Sequence, residues 1–165
     1  KWTLEFLKGE STPFKKKLIN LFISRGIPFN APHGFRCLNL GEESSAFLLP
    51  NKRANFNHLG GVHACALATL GEITSGMLLI KNFPFTEYRI ILSKLEVEYL
   101  YQARTTIYSS ATLSKERRDE IKEELGLRGK TIIPMETILV DEKKNEVAKI
   151  MSYWQLKKWD KVQMK

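Results

Sequence analysis

Cysteine is scarce. The chain has 165 residues and two thiols, Cys37 and Cys65, with no repeated spacing of the kind that marks a disulfide framework. That suits a reducing compartment, and a cytoplasmic location is expected. No phosphate-cradling loop is present, because Gly60-Gly61 lacks both the preceding strand spacing and the later glycine of a nucleotide fingerprint. His58 and His63 lack the companions and spacing of a metal site, so neither metal nor cofactor is expected. The longest apolar stretch, Ala64 to Ile80, is broken by Glu72 and two glycines. It reads as short of a bilayer-spanning helix, and no stable membrane insertion is expected. Internal repeats and low-complexity linkers are absent too, which leaves one domain over residues 1–165, long enough to bury a core without staples. The first residue is Lys1 rather than methionine, so a tag, signal or leader could have been trimmed.

Acidic residues are fewer than basic ones, 18 against 26, for a net charge of +8. The lysines lie in small groups such as Lys15–Lys17, Lys143-Lys144 and Lys157-Lys158, with no long basic run. Such a field favours anionic partners, nucleic acid, anionic lipid and the phosphates of coenzyme A among them, but a solvated basic surface is the weightier explanation. A binder of nucleic acid or anionic membrane, resting only on this charge and an N-terminal helix, is the weakest rival reading, and no nucleic-acid partner is expected.

What is present reads as alternating elements. Ser11-Thr12-Pro13 followed by Phe14, Leu18, Leu21 and Phe22, and closed by Gly26, predicts an amphipathic helix over about 13–26. Phe35–Leu40 and Ser45–Leu49 flank Gly41-Glu42-Glu43 as a hairpin. The apolar run from Gly60 to Ile80 is expected to form a long central helix over about 60–80. Tyr88–Tyr101 alternates as a half-buried strand does, with Leu95, Val97 and Tyr99 against Glu96 and Glu98. Thr105–Leu113 reads as a second long strand. Ser114 caps a charged helical insertion over about 115–125, ended by Gly126. Thr131–Val140 and Val147–Trp159 form a last hairpin. Strands outnumber crossover helices, so an α+β domain with an antiparallel sheet wrapped on one apolar helix is expected.

The most informative segment is Asn57-His58-Leu59-Gly60-Gly61-Val62-His63-Ala64-Cys65-Ala66-Leu67-Ala68-Thr69-Leu70-Gly71-Glu72. It resembles the signature of the phenylacetyl-CoA thioesterase branch of the hotdog-fold superfamily. That pattern is an asparagine, a glycine turn, His-Gly-Gly, then Ala-Leu-Ala-Thr-Leu and an acidic residue. Ser93 to Ala103 likewise resembles the strand that follows, and more narrowly the chain is similar to an uncharacterised, thioesterase-like hotdog group. The resemblance implies the hotdog fold and an acyl-CoA or other acyl thioester as substrate. It places Asn57, His63 and Glu72 on the asparagine, histidine and catalytic carboxylate, with the Ala64 N–H as oxyanion donor. It also implies that Gly60, Gly61, Cys65 and Thr69 line the substrate site. Two departures stand out: Ala64-Cys65 replaces the paired glycines, and Gln102-Ala103-Arg104 replaces Pro-Ala-Gly.

Chemistry alone supports part of this. A helix start offers unpaired amides at the positive end of the macrodipole, and an N–H needs no glycine. Glu72 is a carboxylate inside an apolar helix, where an idle charge is costly. It could serve as general base or nucleophile, or sit at a wet edge or beside a lysine. Asn57 could position water or a carbonyl, or build its own loop. Cys65 and His63, two positions apart on a helix, point away from each other, which disfavours a thiol–imidazole dyad. His63 and Glu72 are nine positions apart, on opposite faces and about 13 Å apart along the axis. A shared site therefore needs a homodimer with antiparallel central helices, or a dimer of dimers. A non-catalytic hotdog module that binds acyl-CoA or lipid remains the alternative.

Overall fold

The computed structural model describes residues 12–162. Ser11, expected in the first helix cap, and the outermost residues of the expected 1–165 domain lie outside the described residues. Thr12 caps helix α1 (Pro13–Leu21) by accepting the Lys15 N–H on Oγ1, and Pro13 occupies the first turn. A π turn over Phe22–Gly26 continues it to the expected end. Ile19 and Ile23 are buried, and Asn20 Oδ1 accepts the Cys37 N–H, so α1 is tied to the sheet by packing and one directed bond.

Among the described residues six strands form one antiparallel sheet: β1 (Arg36–Leu40), β2 (Ser44–Leu49), β3 (Tyr88–Tyr99), β4 (Ile107–Thr112), β5 (Lys130–Val140) and β6 (Glu146–Lys158). Their spatial order is β1-β2-β4-β5-β6-β3. Helix α2 (Ala64–Asn82) lies across the inner face and touches every strand. This is the expected hotdog arrangement. Leu67, Leu70, Ile73, Met77, Leu78 and Leu79 of α2 are buried against the sheet, each stabilising the fold by about 2 kcal/mol as an upper figure.

Several boundaries differ from the sequence reading. The central helix begins at Ala64 rather than Gly60, since Gly60 adopts φ +71° and Phe56 bridges Val62 to close a loop first. It runs on to Asn82. Gly126 does not end the insertion: α3 (Lys115–Arg128) passes through it, because burial of Ile121 and Leu125 in the preceding turns outweighs the cost of one helical glycine. Gly129 is the residue in the left-handed cap. The strand expected from Thr105 is shorter, starting at Ile107. Residues 100–106 carry the chain from the sheet edge at β3 to its interior at β4, and Ala103 spends its carbonyl on the Val62 N–H.

By length and composition α2 does qualify as a helix able to cross a membrane, with mean hydropathy 1.3, contrary to the reading that its interruptions bring it below that level. It is instead the core of this fold, with 61% of that stretch buried.

Candidate functional site

The loop before α2 is built by Asn57. Its Oδ1 accepts the N–H groups of Leu59 (2.9 Å) and Gly61 (3.1 Å), and its own N–H donates to the Gly61 carbonyl at 2.8 Å. Gly60 is exposed with open space around it, whereas a Cβ on Gly61 would meet the Ala103 carbonyl at 3.1 Å. The acceptor of Asn57 is therefore spent on its own turn. Its Nδ2 has no acceptor among the described residues.

Asn55, a residue that sequence reasoning missed, fixes where this loop ends. It is buried, and its Nδ2 donates to the carbonyls of His33 and Pro50. Its Oδ1 pairs with His33 Nδ1 at 3.0 Å, and its carbonyl accepts the His63 N–H at 2.7 Å. The signal was faint: an asparagine in a polar loop gives no hint of burial.

His63 is the N-cap of α2. Its Nδ1 accepts the Cys65 N–H at 3.1 Å, and its carbonyl accepts the N–H groups of Ala66 and Leu67. Among the first-turn amides, that leaves the Ala64 N–H without an acceptor among the described residues. A free amide at the positive end of a 19-residue helix is a ready donor for an oxyanion. Tyr99, also missed, donates its hydroxyl to the Ala64 carbonyl at 3.0 Å and so ties this turn to the end of β3.

One α2 face remains accessible: Cys65 is exposed and Ala68, Thr69 and Glu72 are half-buried. Their spacing of three, four and seven residues makes them one stripe. The Thr69 hydroxyl donates back to the Cys65 carbonyl at 2.8 Å. The Glu72 carboxylate has neither ion pair nor hydrogen bond among the described residues. Burial alone pushes its pKa up to about 7, from an ordinary 4.5, because the charged form loses solvent without gaining a partner. Such a carboxylate can take a proton near neutral pH.

The structure thus groups Asn57, Gly60, Gly61, His63 and Ala64 at the start of α2, and Cys65, Thr69 and Glu72 along its open stripe. Within one chain it does not bring His63 to Glu72. His63 Nδ1 is held by the Cys65 backbone amide rather than the thiol. Among the described residues no three histidine, cysteine, aspartate or glutamate side chains cluster as a metal site would need.

A family model described as a domain of unknown function, DUF4442, matches residues 15–156. A Pseudomonas aeruginosa protein of unknown function, described as a probable thioesterase, superposes with a TM-score of 0.80 at 28% identity, covering 86% of this chain and 95% of that one. A Chlorobaculum tepidum protein of unknown function gives 0.76 at 14% identity over 89% and 97%. A thioesterase enzyme from Staphylococcus aureus gives 0.66 at 11% identity over 79% and 98%. No curated protein matches the chain.

Proposed function

The chain belongs to the DUF4442 family, a domain of unknown function, and from that membership and its hotdog fold we propose that it hydrolyses acyl thioesters, acyl-CoA foremost. The observation that carries the reading is Glu72: a half-buried carboxylate without a partner among the described residues, on the open stripe of the central helix, with its pKa pushed up to about 7. The similar Pseudomonas protein described as a probable thioesterase supports the same chemistry.

In the proposed reaction Glu72 takes a proton from water, and the oxygen of that water bonds to the thioester carbonyl carbon. The tetrahedral oxyanion is held by the Ala64 N–H. The carbon–sulfur bond then breaks, the thiolate leaves with the electron pair, and the proton held by Glu72 returns to sulfur. A thiolate with a pKa of about 8.5 leaves readily, so no stronger acid is needed.

Because Glu72 lies about 12 Å along the helix from Ala64 and on the face opposite His63, too far for one thioester carbonyl to meet both ends, the reading places each site across a homodimer, Glu72 of one copy facing Ala64 and His63 of the other. Strand β3 supports this: among the described residues it pairs with β6 alone and offers 12 residues of free edge, a ready template for another strand. Asn57 Nδ2, Gly60, Gly61, Cys65 and Thr69 would line the substrate. The deciding experiment is thiol release from acyl-CoAs of graded chain length. Turnover of at least one class, lost in Glu72→Gln, supports the reading, and tight binding with no release by the wild type replaces it with a non-catalytic acyl-CoA carrier.

A further inference from the structure

The seam between α2 and the sheet is lined with hydroxyls, and all but one of them are satisfied. Ser45 donates to the Thr74 carbonyl, Thr74 pairs with Ser109 at 2.6 Å, and Thr137 donates to the Gly71 carbonyl. Ser75 donates to the carbonyls of Gly71 and Glu72. Ser152 is the exception. It is wholly buried, and its Oγ has no partner among the described residues. The other buried side-chain atom left orphaned among the described residues, Arg118 Nε, belongs to a guanidinium whose remaining nitrogens pair with Glu42, Glu43 and Asn82.

The position of Ser152 is set by its neighbours. Ile150, Ser152 and Trp154 are the buried, alternate residues of β6. Ile150 abuts Gly71, where a Cβ would come within 2.8 Å of its side chain. The Trp154 ring abuts Gly76 equally closely, and its Nε1 donates to Ser75 Oγ at 3.0 Å. Ser152 therefore lies on β6 between two contacts that pin α2 at Gly71 and Gly76. The helical segment between those pins starts with Glu72, the one carboxylate of α2. Beside Ser152 on the neighbouring strands stand Leu95 and Met135, which offer the hydroxyl nothing. An alanine would fill the same space without burying an unmated hydroxyl, which costs free energy.

We propose that Ser152 is the positioning residue for Glu72: its hydroxyl donates a hydrogen bond, relayed over one buried water, to the ionised carboxylate and aims it at the thioester carbonyl. This inference rests on the thioesterase reading for its consequence in catalysis, though not for the contact itself. Two carboxylate oxygens on a flexible side chain give many rotamers. A donor fixed on β6 selects one and leaves the other oxygen for water.

The test is Ser152→Ala with two readouts. Carboxyl-carbon NMR of glutamate-labelled protein, with Glu72 assigned through Glu72→Gln, follows titration of the carboxylate without any substrate. Loss of the donor should raise the Glu72 midpoint by about one unit, a tenfold change in proton affinity. In the acyl-CoA assay kcat should fall about tenfold with KM little changed, and the acid limb of its pH profile should move up in parallel. Ser152→Cys, with a weaker donor of similar size, should fall between, and it carries the test if the alanine variant does not fold. A midpoint and a pH profile that stay where the wild type has them would overturn the proposal and leave Ser152 a packed hydroxyl. If wild-type protein releases no thiol from any acyl-CoA, the thioesterase reading fails and the NMR midpoint still decides the contact. If Glu72→Gln is inactive while Ser152→Ala is normal in both readouts, this inference alone fails.

Discussion

His63 Nδ1 accepts the Cys65 amide at 3.1 Å, and this bond leaves Ala64 with the uncommitted amide of the first turn of α2. An imidazole acting as helix cap has a defined structural cost when removed. His63→Ala should destabilise the fold by about 1 kcal/mol, the usual loss of an N-cap acceptor, and His63→Asn should recover most of it. Urea unfolding of the three proteins measures this. Equal stability of all three would show that the cap bond contributes nothing.

Glu72→Gln should leave the fold intact and lower turnover at least about a hundredfold, the lower end for loss of a positioned acid–base group. In the wild type kcat should rise with pH through about 7, since the carboxylate acts only when ionised. Steady-state kinetics from pH 5 to 9 checks both. A flat profile, or a fully active glutamine variant, would remove Glu72 from the mechanism.

The same group makes stability depend on pH. Its folded pKa of about 7 lies above the ordinary 4.5, so the folded chain holds this proton more tightly than the unfolded one. Stability is then undiminished below about pH 4.5, declines as pH rises through 7, and is level beyond. At about 1.4 kcal/mol per unit, the full cost of ionising Glu72 is about 3–4 kcal/mol. Glu72→Gln should match the wild type most closely near pH 4 and exceed it most at pH 8. Thermal unfolding at both values reads the difference, and a gap independent of pH would contradict the assigned burial.

Gly71→Ala should destabilise by about 1–3 kcal/mol although alanine is the better helix former, because the added methyl meets Ile150 at 2.8 Å. In an Ile150→Ala background, which lacks the Cγ1 and Cδ1 atoms met at 2.8 and 3.0 Å, the loss caused by Gly71→Ala should be smaller. Denaturant midpoints of the single and double variants test this coupling, and strict additivity would mean the contact is not the cause.

A site shared between two copies predicts complementation. Chains with Glu72→Gln mixed with chains carrying Asn57→Ala should form heterodimers with one intact and one doubly damaged site. Equal mixing should restore about a quarter of wild-type activity. Thiol release before and after subunit exchange is the assay, with mass spectrometry confirming heterodimers. Heterodimers that stay as inactive as their parents would rule out the intersubunit site.

Much of this protein is legible along the chain, because caps, periodicity and turn residues act over a few positions. Thr12 and Ser114 cap the helices expected of them, and the hairpin of β5 and β6 lies where its alternation put it. Glu72 stood out because a carboxylate in an apolar helix is anomalous on sequence grounds alone. Period-two alternation, however, tells which face a residue takes and never which strand lies beside it. Tertiary structure alone therefore decided that β3 leaves its sequence neighbour β4 for the far edge against β6. It decided that Asn57 spends its acceptor on its own loop, that Asn55 is buried to hold His63, and that Ala64 keeps the free amide. The seat of Ser152 between the Gly71 and Gly76 contacts was equally out of reach. The strand order and the seat of Ser152 depend on pairings across roughly fifty to eighty residues, and the loop bonds on which polar groups are buried, so packing and hydrogen-bond satisfaction rather than local propensity choose the partner.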